Sequence, residues 1–161
     1  MKPSCFVLIP LGAKLGPVGS IDFDAVYLEL LRPAIEAAGL QAVRADAELL
    51  GGGINGPMFD QLRLSDVAIV DLTTANEMVL YSLGERRAVK PQATVVVFAA
   101  DQRVPFDVES VVSAAYKLDP DGRPIEALPF VDTLAALLAE AKMPAMQSPI
   151  DELLGDWPEL S

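Results

Sequence analysis

Residues 67–88, VAIVDLTTANEMVLYSLGERRA, decide the fold. The stretch begins with a short apolar run that carries an acid, Asp71, near its end, which is typical of a strand buried in a parallel sheet. Its second half has apolar residues at helical spacing, and Asn76 is placed to cap the first turn. A strand that carries an acid to its carboxyl end, followed by a polar turn and a helix, predicts the ligand-binding edge of an open α/β sheet.

The composition limits the classes of function. The chain has 161 residues, of which 52% are hydrophobic, and this predicts one α/β domain over residues 1–143 with a tail or linker at 144–161. A net charge of −11 repels a phosphate backbone, so we expect no nucleic-acid partner. No apolar run approaches the roughly 20 residues of a membrane helix, and one cysteine suits a reducing compartment, so we expect a cytoplasmic protein with no membrane partner.

The chain contains no histidine. This removes His-based catalytic triads, His-rich metal sites and imidazole acid/base chemistry. The sequence also lacks a G-x-G-x-x-G fingerprint for a dinucleotide. We therefore expect no metal and no cofactor.

Five apolar segments predict strands that alternate with helices. The predicted strands cover residues 5–10, 40–45, 67–72, 93–99 and 114–118, and the other predicted helices cover 22–38, 57–64 and 125–142. We therefore expect a three-layer, flavodoxin-like (Rossmannoid) fold with a five-stranded parallel sheet of order 2-1-3-4-5. In this order the ends of strands 1 and 3 meet at the switch point, where ligands bind. Residues 11–20, rich in Gly and Pro, predict a loop that walls this site.

The stretch DLTTANEMVLYSLG, which begins at Asp71, resembles the signature D-L-T-x-x-N-x-N-V-x-Y-E-L-G of the nucleoside 2-deoxyribosyltransferase-like and TIR-like superfamily. CFVLIPLG resembles the opening strand of that superfamily and its Pro-Phe-Gly loop. The Gly-Ile pair at 53–54, followed by a helix and SDV, resembles its G-x-I motif and third strand. IDFDAVYLELLRPAIEAAGL and RADAELLGGGI are most similar to the N-terminal domain of bacterial DUF4071 proteins, which commonly precedes a TPR-like helical region. The resemblance covers about residues 5 to 118.

The resemblance implies N-glycosidic chemistry on a nucleoside or nucleotide, in which a carboxylate attacks or stabilises the anomeric carbon. It implies that Asp71 orients the ribose or base, that Asn76 stands at the helix start and that Tyr81 forms a wall. The second Asn of the family falls on Met78 and its catalytic Glu on Ser82. These two positions face the same way on a helix, and serine cannot supply the negative charge that stabilises an oxocarbenium ion.

Glu85 is the alternative acid, about 5 Å farther along the helix axis than Ser82. The candidate catalytic residues are therefore Asp71, Ser82 and Glu85. The candidate ligand-binding residues are Pro10, Leu11, Gly12, Gly53, Ile54, Asp71, Asn76, Met78, Tyr81 and Ser82.

Three hypotheses follow for the function. The first is a TIR-like domain that binds a small-molecule nucleotide or nucleoside and is a catalytically degenerate sensor or regulatory module. The second is an active N-glycoside hydrolase or deoxyribosyltransferase that acts on NAD or a nucleoside. The third is a self-associating interaction module, with a homo-oligomer, a helical-repeat region or another protein as its partner. A simpler interpretation gives Asp71 and Asn76 only capping roles, and predicts that Arg86 and Arg87 are solvated or paired with acids.

Overall fold

A computed structural model describes residues 2–16, 19–46, 60–62, 64–74, 77–90, 93–100 and 112–142, without the side chains of residues 46, 77, 78 and 89. The strands are β1 (Ser4–Ile9), β2 (Ala13–Gly16), β3 (Gly19–Asp22), β4 (Gln41–Asp46), β5 (Val67–Asp71), β6 (Thr94–Ala99), β7 (Ser113–Leu118) and β8 (Pro124–Ile125). The helical elements are α1 (Phe23–Val26), a π-helical segment (Tyr27–Leu31), α2 (Arg32–Ala37), α3 (Glu77–Val89) and α4 (Ala127–Ala141).

Within the described residues, the main sheet has six strands in the order β4-β1-β5-β6-β7-β8. The first five of these run parallel to one another, and β8 pairs antiparallel with β7. This is a flavodoxin-like α/β arrangement. The predicted five-stranded sheet of order 2-1-3-4-5 describes only the parallel strands. The prediction missed β8 because that strand is a two-residue return after the turn at residues 119–123, too short for an apolar pattern.

The sheet is covered on both faces because its central strands are apolar on both faces. On one face, Val67 and Ile69 pack with α1, α2 and α4. On the other, Ala68 and Val70 pack with Val79 and Leu83 of α3. The five residues of β5 are all buried, as expected of a central parallel strand.

The helix predicted at residues 22–38 is interrupted by the π-helical segment Tyr27–Leu31. The side chain of Asp22 caps its start by accepting a 3.0 Å hydrogen bond from the backbone of Ala25. Pro33, near its end, has no N–H and its ring crowds the carbonyl one turn earlier. The wider π turn, closed by a bond from the Arg32 N–H to the Tyr27 carbonyl, accommodates the proline.

Residues 11–20 are not a loop, since they contain the hairpin β2–β3. Gly16 and Gly19, which favoured a loop, pair with each other across this hairpin. The hairpin returns the chain to the sheet edge, where the backbone of Phe23 donates to the carbonyl of Gly12 at 2.9 Å. The β2–β3 hairpin therefore leaves the end of β1 and the start of α1 side by side.

Several predicted segments lie outside the described residues. These are the glycine-rich stretch 51–56, most of the connection 101–113 and the tail 144–161. Of the predicted helix 57–64, residues 60–62 and 64 are described and are helical. None of the described helices is long and apolar enough to cross a membrane.

Candidate functional site

The carboxyl ends of β1 and β5 lie side by side in the middle of the sheet. Strand order reverses here, because β4 lies on the other side of β1 while β6 and β7 extend beyond β5. The segments that follow β1 and β5, which begin at Pro10 and Leu72, therefore leave the sheet at its switch point. In open α/β sheets this crevice is the usual ligand-binding position.

Asp71, at the end of β5, is buried, with 2% of its surface exposed. Its Oδ1 accepts a 2.8 Å hydrogen bond from the backbone of Thr73. Its Oδ2 accepts a 2.6 Å hydrogen bond from the hydroxyl of Tyr116 on β7. Both oxygens of the predicted ligand-orienting carboxylate therefore have a partner within the chain.

The same hydrogen-bond network joins the ends of three strands. The hydroxyls of Thr73 and Tyr116 are 3.0 Å apart. Because Tyr116 gives its only proton to Asp71, Thr73 is the donor in this contact. The Thr73 hydroxyl also accepts from the backbone of Ala99 at 3.1 Å, and the ring of Tyr116 packs edge-on against Phe130 of α4 with centroids 5.9 Å apart. The network links β5, β6, β7 and α4.

Burial changes the acidity of this network. Desolvation raises the pKa of Asp71 from 3.8 to about 6, although the hydrogen bonds from Tyr116 and Thr73 act in the opposite direction. Desolvation and the neighbouring Asp71 charge raise the pKa of Tyr116 well above its ordinary value. A carboxyl pKa near neutrality suits acid/base chemistry.

Ser82 lies on the opposite face of the sheet from Asp71. Side chains alternate along a strand, so Asp71 points to the same face as Val67 and Ile69. Ser82 belongs to α3, which covers the other face through Val79 and Leu83, and it is 1% exposed. The structure therefore does not bring the predicted pair Asp71 and Ser82 together.

Tyr81 and Glu85 form a separate surface pair on α3. Tyr81 is 60% exposed, and a hydrogen bond with Glu85 raises the pKa of its hydroxyl. The two residues are four apart and share a helix face. Glu85 therefore faces Tyr81 at the surface, whereas Ser82 is turned inward.

Arg86 is not solvated, as one of the two predicted alternatives had it, since this side chain is completely buried. Its guanidinium donates to the carbonyls of Leu62 at 2.9 Å and Ala93 at 3.1 Å, and to the hydroxyl of Thr94 at 3.1 Å. It also donates to the carbonyls of residues 65 and 66. Five donors in a planar fork can satisfy several carbonyls at once, so Arg86 joins the segment at residues 62–66, through the carbonyls of residues 62, 65 and 66, to the start of β6.

A second polar cluster at the carboxyl edge was not predicted. Arg44 of β4 donates through Nη2 to the carbonyl of Pro10 and to Oδ1 of Asp24, both at 2.8 Å. The same Oδ1 accepts a 3.0 Å hydrogen bond from the backbone of Gly12. The guanidinium also lies over the ring of Tyr27, 4.7 Å from its centroid. Arg44, which stands between the apolar residues Val43 and Ala45, was the sequence signal for this cluster.

The remaining predicted site residues divide into two groups. Pro10, Leu11 and Gly12 lie at the switch point, where Leu11 is 46% exposed and Gly12 has a φ of +71° with open space beside it. Gly53, Ile54, Asn76 and the side chain of Met78 lie outside the described part of the chain. Their roles in ligand binding stay predictions.

A cavity of about 390 Å³ lies at the opposite, amino edge of the sheet. It is lined by Ser4, Phe6, Val43, Asp60, Gln61, Leu64 and Ser65. None of these residues is a predicted site residue, and most of the surface that they expose to the cavity is apolar. Within the described ranges, no group of three or more Cys, Asp or Glu side chains is placed to hold a metal ion.

No protein-family model and no curated protein matches the chain. Among solved structures, an oxidoreductase from Corynebacterium diphtheriae is similar, with a TM-score of 0.54 and 9% identity over 88% of this chain and 96% of that chain. A flavodoxin-like domain from Synechococcus sp. has a TM-score of 0.48 and 9% identity, over 84% of this chain and 95% of that chain. At 9% identity the first likeness shows the fold alone.

Proposed function

We propose that this chain is a nucleotide- or nucleoside-binding domain that does not hydrolyse its ligand and acts as a sensor or regulatory module. The observation that supports binding is the switch point between β1 and β5, with the exposed residue Leu11 and the open backbone of Gly12 at its rim. A glycine at this position lets a ligand approach the backbone closely. The sequence resemblance supplies the ligand class.

The positions of the candidate catalytic residues support the proposed absence of hydrolysis. Cleavage of an N-glycosidic bond needs a carboxylate beside the anomeric carbon to stabilise the oxocarbenium-like transition state. The oxygens of Asp71 are engaged by Tyr116 and Thr73. Ser82 is neutral and inward-facing, and Glu85 pairs with Tyr81 on the surface of α3. The three candidate catalytic residues, Asp71, Ser82 and Glu85, therefore do not face a common reaction centre.

A second candidate function is an active glycoside hydrolase or deoxyribosyltransferase. The observation in its favour is the pKa of Asp71, which burial raises to about 6, because perturbed acids concentrate at functional sites. For Asp71 to reach a substrate, Tyr116 must release its 2.6 Å hydrogen bond. The Tyr116→Phe variant would then keep or increase turnover, whereas a binding domain would show none.

The experiment combines binding and turnover on one panel of NAD, nucleosides, deoxynucleosides and their phosphates. Thermal unfolding reports binding, and chromatography reports released base. A ligand at 100 times its Kd stabilises the fold by about 2.7 kcal/mol, which raises Tm by several degrees. A Tm shift without free base supports the proposal, release of base overturns the claim that the domain is inactive, and the absence of any shift overturns ligand binding.

Two glycine variants locate the site. Gly12 and Gly19 both have positive φ, +71° and +141°, and neither has an atom within 4 Å of an added Cβ. Gly12→Ala adds a methyl group at the switch point, whereas Gly19→Ala adds one on the β2–β3 hairpin. We expect both to lower Tm in the absence of ligand, and only Gly12→Ala to reduce the shift caused by ligand.

Self-association and contact with a helical-repeat region are the protein partners that the resemblance implies. Sedimentation at increasing protein concentration tests the first, with and without the ligand that gives the largest Tm shift. If the protein binds ligand and stays monomeric at all concentrations, the result supports a binding module and contradicts a self-associating interaction module.

A further inference from the structure

Two donors converge on one oxygen at the end of β1. The backbone N–H of Gly12 lies 3.0 Å and Nη2 of Arg44 lies 2.8 Å from Oδ1 of Asp24. A backbone amide and a guanidinium that point at the same oxygen are the usual components of a phosphate or carboxylate site in proteins. In this chain the anion between them is the protein's own side chain.

Arg44 is held in place independently of Asp24. Its Nη2 also donates to the carbonyl of Pro10 at 2.8 Å, and its guanidinium lies over the ring of Tyr27. Only 16% of its side chain is exposed. Its Nε is buried and has no hydrogen-bond partner among the described residues. The cation is therefore fixed at the edge of the sheet and has a donor that is not used.

Asp24, in contrast, lies outside the buried core. Half of its side chain is exposed, and Oδ2 accepts no hydrogen bond from the described part of the chain. The bonds from Gly12 and Arg44 lower the pKa of this carboxyl, so it is ionised at neutral pH. A second anion cannot approach the same donors while this charge is present.

We propose that the Gly12 amide and the Arg44 guanidinium form an anion-binding site for phosphate groups, and that the carboxylate of Asp24 occupies it. Asp24 is then the residue that excludes phosphorylated ligands from the β1 end of the switch point. Because the carboxylate is attached to α1, it competes at a high effective concentration with any free anion. The consequence for ligand choice rests on the proposed function, whereas the anion site itself rests on the geometry of these three residues.

The test removes the internal anion and supplies an external one. Asp24→Ala is titrated with inorganic phosphate, and its Tm is compared with that in sodium chloride of equal ionic strength. We expect Asp24→Ala to unfold at a lower temperature than the unsubstituted protein, and phosphate to restore part of the loss. Its Kd for phosphate should be at least about tenfold lower than that of the unsubstituted protein, a difference of about 1.4 kcal/mol.

Matched variants separate this site from a general charge effect. Glu29→Ala removes another partly exposed acid of the same helical region, one that pairs with Arg123, and should show no phosphate response. Adding Arg44→Met to Asp24→Ala should abolish the response. If Asp24→Ala does not fold, Asp24→Asn serves instead, because the neutral amide also removes the charge that repels phosphate.

Two outcomes overturn the anion site. One is a phosphate response of Asp24→Ala no larger than that of Glu29→Ala, and the other is an equally strong response of the unsubstituted protein. Failure of the proposed function has a different signature, since the unsubstituted protein would then show no Tm shift with any nucleoside or nucleotide. If the unsubstituted protein binds a nucleoside but the Tm of Asp24→Ala does not respond to phosphate, the proposed function stands and the proposed anion site is wrong.

Discussion

The hydroxyl of Tyr116 donates a 2.6 Å hydrogen bond to Oδ2 of Asp71, 45 residues earlier in the chain. Both residues are buried. A buried carboxylate is tolerated only when its oxygens accept hydrogen bonds. The hydrogen bond from Tyr116 therefore allows the carboxylate of Asp71 to be buried at the end of an otherwise apolar strand.

Tyr116→Phe removes this donor and keeps the ring against Phe130. We expect the free energy of unfolding to fall by about 1–3 kcal/mol, since Oδ2 of Asp71 is left buried without this partner. Urea unfolding followed by circular dichroism measures the change. Tyr81→Phe is the control, because it deletes the same hydroxyl from a residue that is 60% exposed, and it should leave the midpoint unchanged. Equal midpoints for Tyr116→Phe and the unsubstituted protein would show that the buried bond does not stabilise the fold.

The stability of the fold should depend on pH through Asp71. Its pKa is 3.8 in an ordinary environment and about 6 in the folded chain, so the folded state binds the proton more tightly. The stabilisation that this tighter proton binding by Asp71 gives the folded state is present in full below about pH 4, and it is lost as pH rises through about 6. A shift of this size corresponds to roughly 3 kcal/mol.

Asp71→Asn removes the titrating group and provides the reference. Subtracting its free energy of unfolding from that of the unsubstituted protein, between pH 4 and pH 7, isolates the contribution of Asp71. The difference should fall with rising pH. A difference that is flat or rises would mean that the pKa of Asp71 is not raised by folding.

Arg86→Met should destabilise the protein by about 3 kcal/mol or more, because several buried carbonyls lose their donor at once. Arg86 is completely buried, and desolvation lowers its pKa to about 10. Arg32→Met is the control, since Arg32 is 54% exposed and pairs with Glu36 on the surface. The control should change the free energy of unfolding by less than about 1 kcal/mol. Similar losses for the two variants would contradict the structural role of Arg86.

Gly122→Ala should destabilise the protein for two reasons. Its φ is +81°, and an added Cβ would overlap the carbonyl oxygen of Ser20 on β3. The backbone conformation alone costs about 1–2 kcal/mol, and the overlap must be relieved by moving the hairpin. Gly84→Ala is the opposite case, since the added Cβ meets open space on α3. We expect this substitution to stabilise the helix by about 0.5–1 kcal/mol. Thermal unfolding of the two variants should give Tm changes of opposite sign.

Local patterns in the sequence were sufficient for the parallel strands. The apolar run at residues 67–72 and the run at 93–99 coincide closely with β5 and β6. They were predictable because a strand buried on both faces is apolar throughout. The hairpin β2–β3 was not predictable in this way, since apolar and polar residues alternate only weakly along its two short strands, which contain glycines. The burial of Arg86 was not predictable either, because a helix pattern does not show which carbonyls lie beside the side chain.

The candidate site was predictable in position but not in its contacts. Asp71 lies at the end of β5, as its place in the motif indicated. Its partner Tyr116 lies on β7, 45 residues later in the chain, and no local pattern joins residues this far apart. The face to which Asp71 points depends on the register of the sheet, so the sequence could not show that Ser82 lies on the other face. The roles predicted for Asn76 and Met78 remain predictions.

The link between Asp71 and Tyr116 also orders events during synthesis. When β5 leaves the ribosome, the donor for its terminal carboxylate has not yet been made, because Tyr116 follows 45 residues later. Until β7 arrives, burying Asp71 is unfavourable, so the strands made first have no complete core of their own. Nascent chains that end before residue 113 should therefore be degraded rapidly by proteases, and resistance should appear once β7 and the helix α4 that packs on it have emerged.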